Sequence, residues 1–370
     1  MIIRSEDFRA ICSKILAAAD SNSLSPITET VELRTENTFL YVSVTNMEYF
    51  ARCKFDLGIE ESFHATVNAD LFLKLVSQIT TDTIELSVRD NYMILKANGT
   101  YKLPLIFRDD KLIEIPEIEI HNITNEFEID SNILLSILQY NSKELTKGVI
   151  SKPVQKLYYV DEFGALTFTS GACVNSFTLN QPVRLLLNNR VVKLFKLFKG
   201  ETVNFTLGYD ALTDEIIQTK VRFESNDISI TAILSCDDTL LRSVPVQAIR
   251  NRANTEYPYS ITLNKDGLLQ AINRLMLFTP KDVINLYGKF EFKKDNVVLY
   301  DVKEDNKEEL YYTGDAISGE YTTILDFVDL KTTLETCTEP YLTIHFGNQQ
   351  AIVLSRGNVK NVIPEIHPTT

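Results

Sequence analysis

Basic residues recur at every third position in one short segment of the chain. Arg190, Lys193, Lys196 and Lys199 lie within residues 189–200 and alternate with valine, leucine and phenylalanine. Because each residue of an α-helix advances by about 100°, the apolar residues share one face and the bases lie opposite or at its margin. Such a helix can present cations to the phosphates of a nucleic acid or to an anionic membrane. The alternative is a lysine face that meets only solvent.

Patterns typical of catalysis or metal binding are missing from the sequence. It contains no phosphate-binding glycine loop, no nucleophile elbow and no His-Glu-x-x-His zinc motif. The acidic pairs at 109–110 and 237–238 fall in predicted loops, so we interpret them as solvated turn charges. The five cysteines and four histidines are scattered singly, which favours reduced thiols over disulfides or a zinc site. We therefore expect a protein that is not an enzyme and that has no catalytic residue, cofactor or metal.

The bulk composition indicates a folded protein of more than one domain. The chain has 370 residues, is 44% hydrophobic and carries a formal net charge of −13, and this length favours two or three domains. It contains no apolar run long enough for a transmembrane helix, and the charged start "MIIRSEDFRA" does not resemble a signal peptide. These features predict a cytoplasmic protein.

Six segments with helical spacing interrupt a sequence that otherwise alternates like β-strands. The predicted helices cover residues 6–19, 69–79, 131–145, 189–200, 265–278 and 327–337. Each follows a residue of a type that caps helix N-termini; these are Ser5, Asn68, Asp130, Asn188, Asn264 and Asp326. Successive caps are 63, 62, 58, 76 and 62 residues apart. Six capped helices at a nearly constant interval predict a repeated unit of one helix with several strands.

Taken in pairs, the six units predict three domains, at residues 1–120, 121–250 and 251–370. The boundaries fall near two polar or proline-containing segments, 114–122 and 247–258, which we interpret as linkers. The three predicted domains carry net charges of −7, −1 and −5. The middle domain, which contains the basic segment, is therefore the least acidic.

Five of the six predicted helices present a polar or basic front with no acid at its centre. The candidate phosphate contacts on these helices are Arg9, Lys14, Lys74, Lys143, Arg190, Lys193, Lys196, Lys199 and Arg274. Phosphate is favoured over a membrane, because the repeat assigns the apolar residues to a core and several fronts can line one surface. The sequence shows no aromatic RNA-binding motif, so we expect contact with a nucleic-acid backbone without base reading.

In its order of elements the chain resembles the bacterial sliding clamp family, the beta subunit of DNA polymerase III. "VNADLFLKLVSQITTDTIELSVRDNYMILKANGTYKLPLI" (67–106) is similar to the second half of that family's first domain, and "SLSPITETVEL" (23–33) to its entry into the first strands. "YYVDEFGALTFTSGACVNSF" (158–177) and "AIVLSRGNVKNVIPEI" (351–366) resemble its middle hairpin and its last pair of strands. The resemblance covers nearly the whole chain, and the divergence points to a phage or mobile-element version.

The resemblance implies an α+β fold of three clamp domains in which six helices line a central hole and antiparallel sheets lie outside. Two copies would close head to tail into a homodimeric ring around duplex DNA, in a bacterial or phage-infected cell. The ring would tether a DNA polymerase and meet a clamp loader through short peptide motifs. Two other hypotheses remain: a clamp-like scaffold without stable DNA loading, and a peripheral membrane protein that uses residues 189–200.

The resemblance also implies two protein-binding surfaces. A pocket for partner peptides would be formed by Leu157, Thr169, Gly171, Val174, Leu241, Val244, Val353, Val362, Ile363, Pro364 and Ile366. Ring closure would place Tyr101, Leu103 and Leu105 against Met276 and Leu277 of the other copy. Read without the family, most of these residues are ordinary strand hydrophobes.

The chain departs from the family pattern at three places. Ala172 and Cys173 replace a basic pair in the middle hairpin, and Glu365 stands where a methionine is usual. We therefore expect the pocket to accept a different peptide. The loop at 21–23 (Ser-Asn-Ser) lacks a DNA-contacting base that is frequent in the family. The segment 143–156 offers substitutes for that contact, which are Lys143, Lys147, Lys152 and Lys156; a solvated loop is the alternative.

Overall fold

The computed structural model of the chain describes residues 1–19, 25–146, 152–211, 217–234, 238–278, 286–314 and 317–367. Within these ranges the α-helices are α1 (Ser5–Ala18), α2 (Ala69–Ser77), α3 (Ser131–Ser136), α4 (Asn189–Leu194), α5 (Asp238–Arg242), α6 (Val246–Asn254), α7 (Lys265–Met276) and α8 (Phe327–Leu334). A π-helical turn (Ile137–Asn141) follows α3, and a 3-10 helix (Phe195–Phe198) follows α4. Further 3-10 turns span Pro26–Glu29, Glu144–Thr146 and Pro153–Lys156.

Most of the remaining described residues form antiparallel strands. The first eleven strands are β1 (Ile2–Arg4), β2 (Thr30–Glu36), β3 (Phe39–Thr45), β4 (Tyr49–Asp56), β5 (His64–Asn68), β6 (Thr83–Arg89), β7 (Tyr92–Lys96), β8 (Thr100–Pro104), β9 (Phe107–Arg108), β10 (Lys111–Leu112) and β11 (Asn122–Asp130). The next seven are β12 (Leu157–Asp161), β13 (Gly164–Phe168), β14 (Ala172–Ser176), β15 (Arg184–Asn188), β16 (Thr202–Ala211), β17 (Ile217–Glu224) and β18 (Ile228–Leu234). The last nine are β19 (Tyr259–Asn264), β20 (Tyr287–Phe292), β21 (Asn296–Tyr300), β22 (Lys307–Tyr311), β23 (Thr313–Gly314), β24 (Tyr321–Asp326), β25 (Tyr341–Phe346), β26 (Ala351–Arg356) and β27 (Val359–Pro364).

The chain divides into two compact units, each made of two segments. The first unit comprises Met1–Asn132 with Lys193–Cys236, and the second comprises Ile133–Val192 with Asp237–Thr370. Neither unit coincides with one of the three domains predicted from the sequence. The strand pairing described below crosses both predicted domain boundaries, so each unit contains parts of two predicted domains. The three-domain division stays a prediction.

The first unit is built around an eight-stranded sheet with the order β11-β16-β17-β18-β4-β3-β2-β5. The β4–β18 pair joins strands of the predicted first and middle domains, with Ala51 opposite Ile230 and Phe50 opposite Thr231. A four-stranded sheet, β1-β6-β7-β8, and the short β9–β10 hairpin complete the unit. Because hydrogen bonds of one ladder cross the predicted boundary, these parts of the two predicted domains share one sheet.

The second unit contains a nine-stranded sheet, β15-β12-β13-β14-β27-β26-β25-β19-β23, and a four-stranded sheet, β22-β21-β20-β24. The β14–β27 pair joins the predicted middle and last domains, with Ala172 opposite Val362. The core of the unit includes Leu268 and Ile272 of α7 packed with Phe327 of α8. A Cβ atom on Gly288 would lie 1.9 Å from the Phe327 ring, so only glycine allows α8 to sit this close to β20.

The segment 114–122 was predicted to be a linker, but hydrogen bonds fix its first half to the eight-stranded sheet. One involves a carboxylate of the sheet and the other a carboxylate of the segment. A Glu32 carboxylate oxygen accepts a hydrogen bond from the Ile115 amide at 3.1 Å. Arg52 on β4 donates to Glu117 at 2.8 Å and lies 3.6 Å from the centre of the Tyr41 ring. The segment is therefore held against β2, β3 and β4.

The second half of the same segment is held by β16 and β17. The ammonium group of Lys220 donates to the Glu119 carbonyl at 2.8 Å and also to the Asp210 carboxylate. That carboxylate accepts the His121 amide at 3.1 Å. These hydrogen bonds, chiefly that from Lys220, lower the pKa of Asp210 to about 2. The segment therefore spans from the β3–β4 region to the β16–β17 region, across the β4–β18 pair.

All six predicted helical segments form, and most predicted caps are confirmed. The Asn68, Asn188 and Asn264 side chains accept an amide of the first turn at 2.7–3.0 Å. Asp130 and Asp326 act in the same way. These bonds satisfy amides that the helix itself leaves unpaired.

Three details of the helix predictions are wrong. Ser5 lies inside α1, and Arg4 occupies the cap position without a side-chain hydrogen bond. The helical spacing of residues 69–79 also predicts an inward-facing Leu71, but Leu71 is 54% exposed and Leu73 is buried. Residues 247–258 are not a plain linker, because α6 forms there and packs on β14 and β27.

The described residues contain no helix long and apolar enough to cross a membrane.

Helix α6 is fixed to the second unit by an ion pair that we expect to be essential for its stability. Both guanidinium nitrogens of Arg250 bind the carboxylate of Asp161, at 2.6 and 2.8 Å, and Asp161 is buried. Arg250→Ala leaves this carboxylate buried without its partner, so we expect the free energy of unfolding to fall by about 3–5 kcal/mol. The measurement is urea unfolding followed by circular dichroism.

The control is Arg252→Ala in the same helix. The Arg252 side chain is exposed and donates to Gln350 at a long distance of 3.4 Å, so we expect a change within about 0.5 kcal/mol. Equal losses in the two variants would contradict the assignment of the Arg250–Asp161 pair.

Candidate nucleic-acid interface

The basic segment 189–200 starts with a capped α-helix and tightens before it ends. The Asn188 side chain accepts the Val191 amide at 2.9 Å, which fixes the first turn of α4. After Leu194 the chain continues as a 3-10 helix, and Gly200 then adopts a φ of +82°. Glycine suits this left-handed position, where a side chain would be strained. The chain passes from the second unit to the first within this segment.

The apolar side of the segment is completely buried. Phe195 and Phe198 have no exposed surface, and the Phe195 ring meets that of Phe223 edge-on at 5.0 Å. Val191 and Leu194 are buried as well. A helix that inserts into a membrane needs its apolar side chains free, so this geometry argues against the membrane hypothesis.

The lysines of the segment are all exposed. Lys193, Lys196 and Lys199 follow one another at intervals of three residues, and none of them forms an ion pair with a described residue. Lys193 lies on α4, Lys196 in the 3-10 helix and Lys199 just after it, so the three lysines follow one another along the exposed side of the segment. Arg190 is also exposed, at the start of α4, but it interacts with another residue of the chain.

The two bases predicted on α1 are occupied by contacts inside the first unit. Arg9 donates to the Ile79 carbonyl at 2.9 Å, just beyond the end of α2. Lys14 lies 2.7 Å from Asp227 and 3.4 Å from Glu201. Partial burial alone would lower the pKa of Lys14, but the two carboxylates raise it above its usual value. Lys14 therefore helps to hold α1 to the loops beside β16 and β18.

Two further candidate bases are paired with acids on the surface. Lys74 lies 2.8 Å from Asp70, one turn earlier on α2, and both side chains are exposed. Arg274 on α7 binds the carboxylate of Glu308 through two nitrogens at 2.7 and 2.8 Å. Exposed pairs of this kind are weak, but they reduce the positive charge that each base offers to a phosphate.

The segment 143–156 is described in part. Lys143, Lys152 and Lys156 are exposed and belong to the second unit, whereas Lys147 lies outside the described residues. No ion pair within the described ranges involves these three lysines. The candidates without a described acidic partner are therefore Lys143, Lys152, Lys156, Lys193, Lys196 and Lys199.

Part of the predicted peptide pocket comes together where β14 meets β27. The Thr169 amide donates to the Gly171 carbonyl at 3.0 Å and closes the turn before β14. A Cβ atom on Gly171 would lie 2.5 Å from the Val362 carbonyl oxygen and 3.5 Å from Pro364, so the turn can pack on β27 only with glycine here. Val353 lies opposite Val362 in the ladder and shares its face of the sheet.

The other predicted pocket residues are placed differently. Ile363 follows Val362 on β27 and points to the opposite face, where it belongs to the core with α7 and α8. Ile366 lines a separate cleft of about 410 Å³ with Tyr287 and Asp301. The structure does not bring these two isoleucines to the Val353–Val362 face. The other predicted pocket residues are Leu157 on β12, Val174 on β14, Leu241 on α5 and Val244 just after α5.

The residues at which this chain departs from the family pattern are buried in this region. Glu365 is buried, and its carboxylate accepts hydrogen bonds from Tyr321 at 2.8 Å and from Thr323 at 2.9 Å. It thus ties the end of β27 to β24 instead of facing a pocket. Ala172 and Cys173 are buried on β14 and offer no charge to a peptide.

The predicted dimer residues of the first unit lie on and beside an edge strand. Within the described residues β8 pairs only with β7, so its other edge is open. Tyr101 and Leu105 are half-buried, but Leu103 is buried in the unit and leaves little surface for a partner. An open edge of this kind can pair with another strand.

The predicted dimer residues of the second unit lie at the end of α7. Leu277 is 80% exposed, whereas Met276 packs against the core. Sequence reasoning missed Phe278, which is also exposed, and the edge strand β22 with its exposed Tyr311.

Nothing in the described part of the chain forms a metal-binding group of three or more His, Cys, Asp or Glu side chains. Four of the cysteines are free and buried; these are Cys12, Cys53, Cys173 and Cys337. Burial raises the pKa of the Cys12 and Cys53 thiols, so both stay protonated near neutral pH.

The structure is similar over nearly its full length to solved bacterial sliding clamps. The beta subunit of the DNA polymerase of Streptococcus pyogenes superposes with a TM-score of 0.80 at 15% identity, with 99% of each chain covered. The beta sliding clamp of Caulobacter crescentus gives 0.78 at 14% identity, covering 99% of this chain and 98% of the clamp. The DNA polymerase sliding clamp of Pseudomonas aeruginosa gives 0.78 at 12% identity, with 99% of each covered. No protein-family model and no curated protein matches the sequence. The chain has the sliding-clamp fold, which confirms the predicted α+β class.

The placement of the basic segment predicts that two neighbouring substitutions affect stability very differently. Phe195→Ala removes a fully buried ring from contact with Phe223, so we expect a loss of about 3–5 kcal/mol in the free energy of unfolding. Lys196→Ala removes an exposed side chain and should change it by no more than about 0.5 kcal/mol. Urea unfolding measures both. A large loss for Lys196→Ala would contradict the exposed placement of this lysine.

Proposed function

We propose that this chain is a DNA sliding clamp, a non-enzymatic processivity factor that encircles duplex DNA and tethers the replicative polymerase. One observation carries the proposal most strongly. In a protein with the sliding-clamp fold, the segment 189–200 is anchored by buried phenylalanines and exposes Lys193, Lys196 and Lys199 in a row. An anchored row of cations suits repeated contact with a phosphate backbone.

Weak contacts are sufficient for such a role. A closed ring stays on DNA because of its topology, so electrostatic binding need not be tight and sliding remains easy. The net charge of −13 opposes adsorption of DNA elsewhere on the surface. With a Debye length of about 8 Å at physiological salt, the exposed lysines act on phosphates only at close range.

Ring closure would use a second copy of this chain. The open edge of β8 in the first unit and the exposed Leu277 in the second offer complementary parts of a head-to-tail dimer. The edge strand β22 and Phe278 add to the second surface. Such a contact combines strand pairing with apolar burial, as stable interfaces do.

Partner proteins, including the polymerase and a clamp loader, would dock through short peptides beside the half-buried Gly171 and Pro364, over the buried Val353 and Val362. Ala172 and Cys173 provide no charge there. Glu365 is held by Tyr321 and Thr323. We therefore expect a peptide chosen mainly by apolar fit. The site of action would be the cytoplasm of a bacterial or phage-infected cell.

A clamp-like scaffold that no longer loads stably on DNA is the second candidate. The ion pairs of Lys14 and Arg274 favour it, because they reduce the charge available to phosphate. The row at 193–199 favours the clamp, so DNA binding by this row separates the two candidates.

The test replaces Lys193, Lys196 and Lys199 together by alanine and measures binding to a short labelled duplex at several salt concentrations. Each lost phosphate contact lowers the slope of log affinity against log salt by about 0.9, so a fall of up to about 2.7 is expected. Folding should be unchanged, because the three side chains are exposed.

The control variant replaces Arg89, Lys294 and Lys303 by alanine, three exposed bases at strand ends and turns. It removes the same charge and should keep the wild-type slope. An unchanged slope in the lysine variant, or an equal fall in the control, would refute the role of this row.

A further inference from the structure

A cleft with a volume of about 910 Å³ lies in the first unit beside the β9–β10 hairpin. We call it the hairpin groove. Its walls include Pro26, Ile27, Met47, Phe107 and Leu112. Met47 is 58% exposed and Phe107 is 43% exposed. The volume falls in the range of ligand-binding pockets, and the apolar walls resemble those of such pockets.

The hairpin is held in place before any ligand arrives. The Ile106 amide donates to the Thr66 carbonyl at 2.9 Å, and the Thr66 hydroxyl donates to the Ile113 carbonyl at 2.6 Å. The two turn residues, Asp109 and Asp110, both have positive φ, as a tight two-residue hairpin turn requires. The groove is therefore preorganised, which reduces the entropy lost on binding.

Met47 lies in the tight β3–β4 turn, where its φ is +73° and the Asn46 side chain accepts the Glu48 and Tyr49 amides. The turn places Met47 on the wall of the groove. A flexible, polarisable thioether also adapts to varied apolar partners.

The charges of the hairpin favour an anionic group in the ligand. Lys111 lies opposite Arg108 in the ladder, and like charges in this position repel. Lys111 has no ion pair with a described residue, and Arg108 has only Asp109 at 3.9 Å. A carboxylate placed between the two bases would relieve their repulsion. Glu114, at another part of the lining, disfavours an acid there and so sets the direction of the ligand.

The backbone of the hairpin offers a further means of recognition. Within the described residues β9 and β10 form a ladder only with each other, and Thr66 binds the flanking Ile106 amide and Ile113 carbonyl. The outer backbone groups of Phe107–Arg108 and Lys111–Leu112 are therefore not used by another strand. An extended peptide can add to such an edge as a third strand, and its alternate side chains then point to one face. A small molecule does not use this edge.

We propose that the hairpin groove binds a short extended peptide of another protein, with apolar residues at alternate positions followed by an aspartate or glutamate. The apolar side chains contact Met47 and Phe107. The carboxylate binds between Arg108 and Lys111. This site belongs to the first unit, whereas Gly171 and Val362 belong to the second, and it requires neither DNA nor ring closure.

The experiment selects a displayed library of random heptapeptides on three purified full-length proteins. These are the wild type, a groove variant with Arg108→Glu and Lys111→Glu, and a control with Arg89→Glu and Lys294→Glu. The control bases are exposed and do not line the groove. All four positions are exposed, so all three proteins should show the same unfolding midpoint.

We expect one class of peptides to be enriched on the wild type and the control and lost on the groove variant, with alternate apolar residues followed by an acid. A labelled member of this class should bind at least about tenfold more weakly to the groove variant. It should also bind more weakly to a variant with Met47→Ser and Phe107→Ser. The proposal is overturned if no enriched class depends on the groove, or if the groove-dependent peptides lack an acid.

Discussion

Pairing between strand edges is the interaction on which the rest of this structure depends. The β4–β18 pair extends one sheet from residues 49–56 to 228–234, and the β14–β27 pair does the same for residues 172–176 and 359–364. Each junction forms a continuous ladder of backbone hydrogen bonds, which few side-chain substitutions can break. On the first sheet the junction is spanned by the segment 114–122 and supported by the Lys14–Asp227 pair. Parts of two predicted domains are thereby held in a fixed register.

Because the sheet is held in a fixed register, it also fixes the positions of the lysines of segment 189–200. The segment 189–200 owes its position to Phe195 and Phe198, whose rings pack against Phe223 on β17, the strand next to β18. The exposed lysines on its other side are thus carried by the same sheet that includes the β4–β18 junction. Cations on an anchored segment can contact phosphates without local folding, and each contact is then weak and reversible. The proposed clamp function rests on this anchored segment and on lysines that have no ion pair with a described residue.

The features that the sequence predicted are local ones. The spacing of apolar residues and the caps Asn68, Asn264 and Asp326 identified helices, because these signals act within one or two turns. The ion pair of Lys14 with Asp227 joins residues 213 positions apart, and no local pattern reveals it. Helix α6 was missed because its burial depends on Arg250 reaching Asp161. The position of Ile366 could not be predicted from strand alternation, which stops at Pro364, where β27 ends.

The central claim is that the protein holds DNA by encircling it. The most direct measurement assembles the protein at high concentration around a circular duplex and then passes the mixture over a sizing column in high salt, before and after one cut of the circle. High salt removes electrostatic binding. We expect the protein to stay with the intact circle and to be lost once the DNA is linear. Equal loss from the circular and the linear DNA would contradict encirclement.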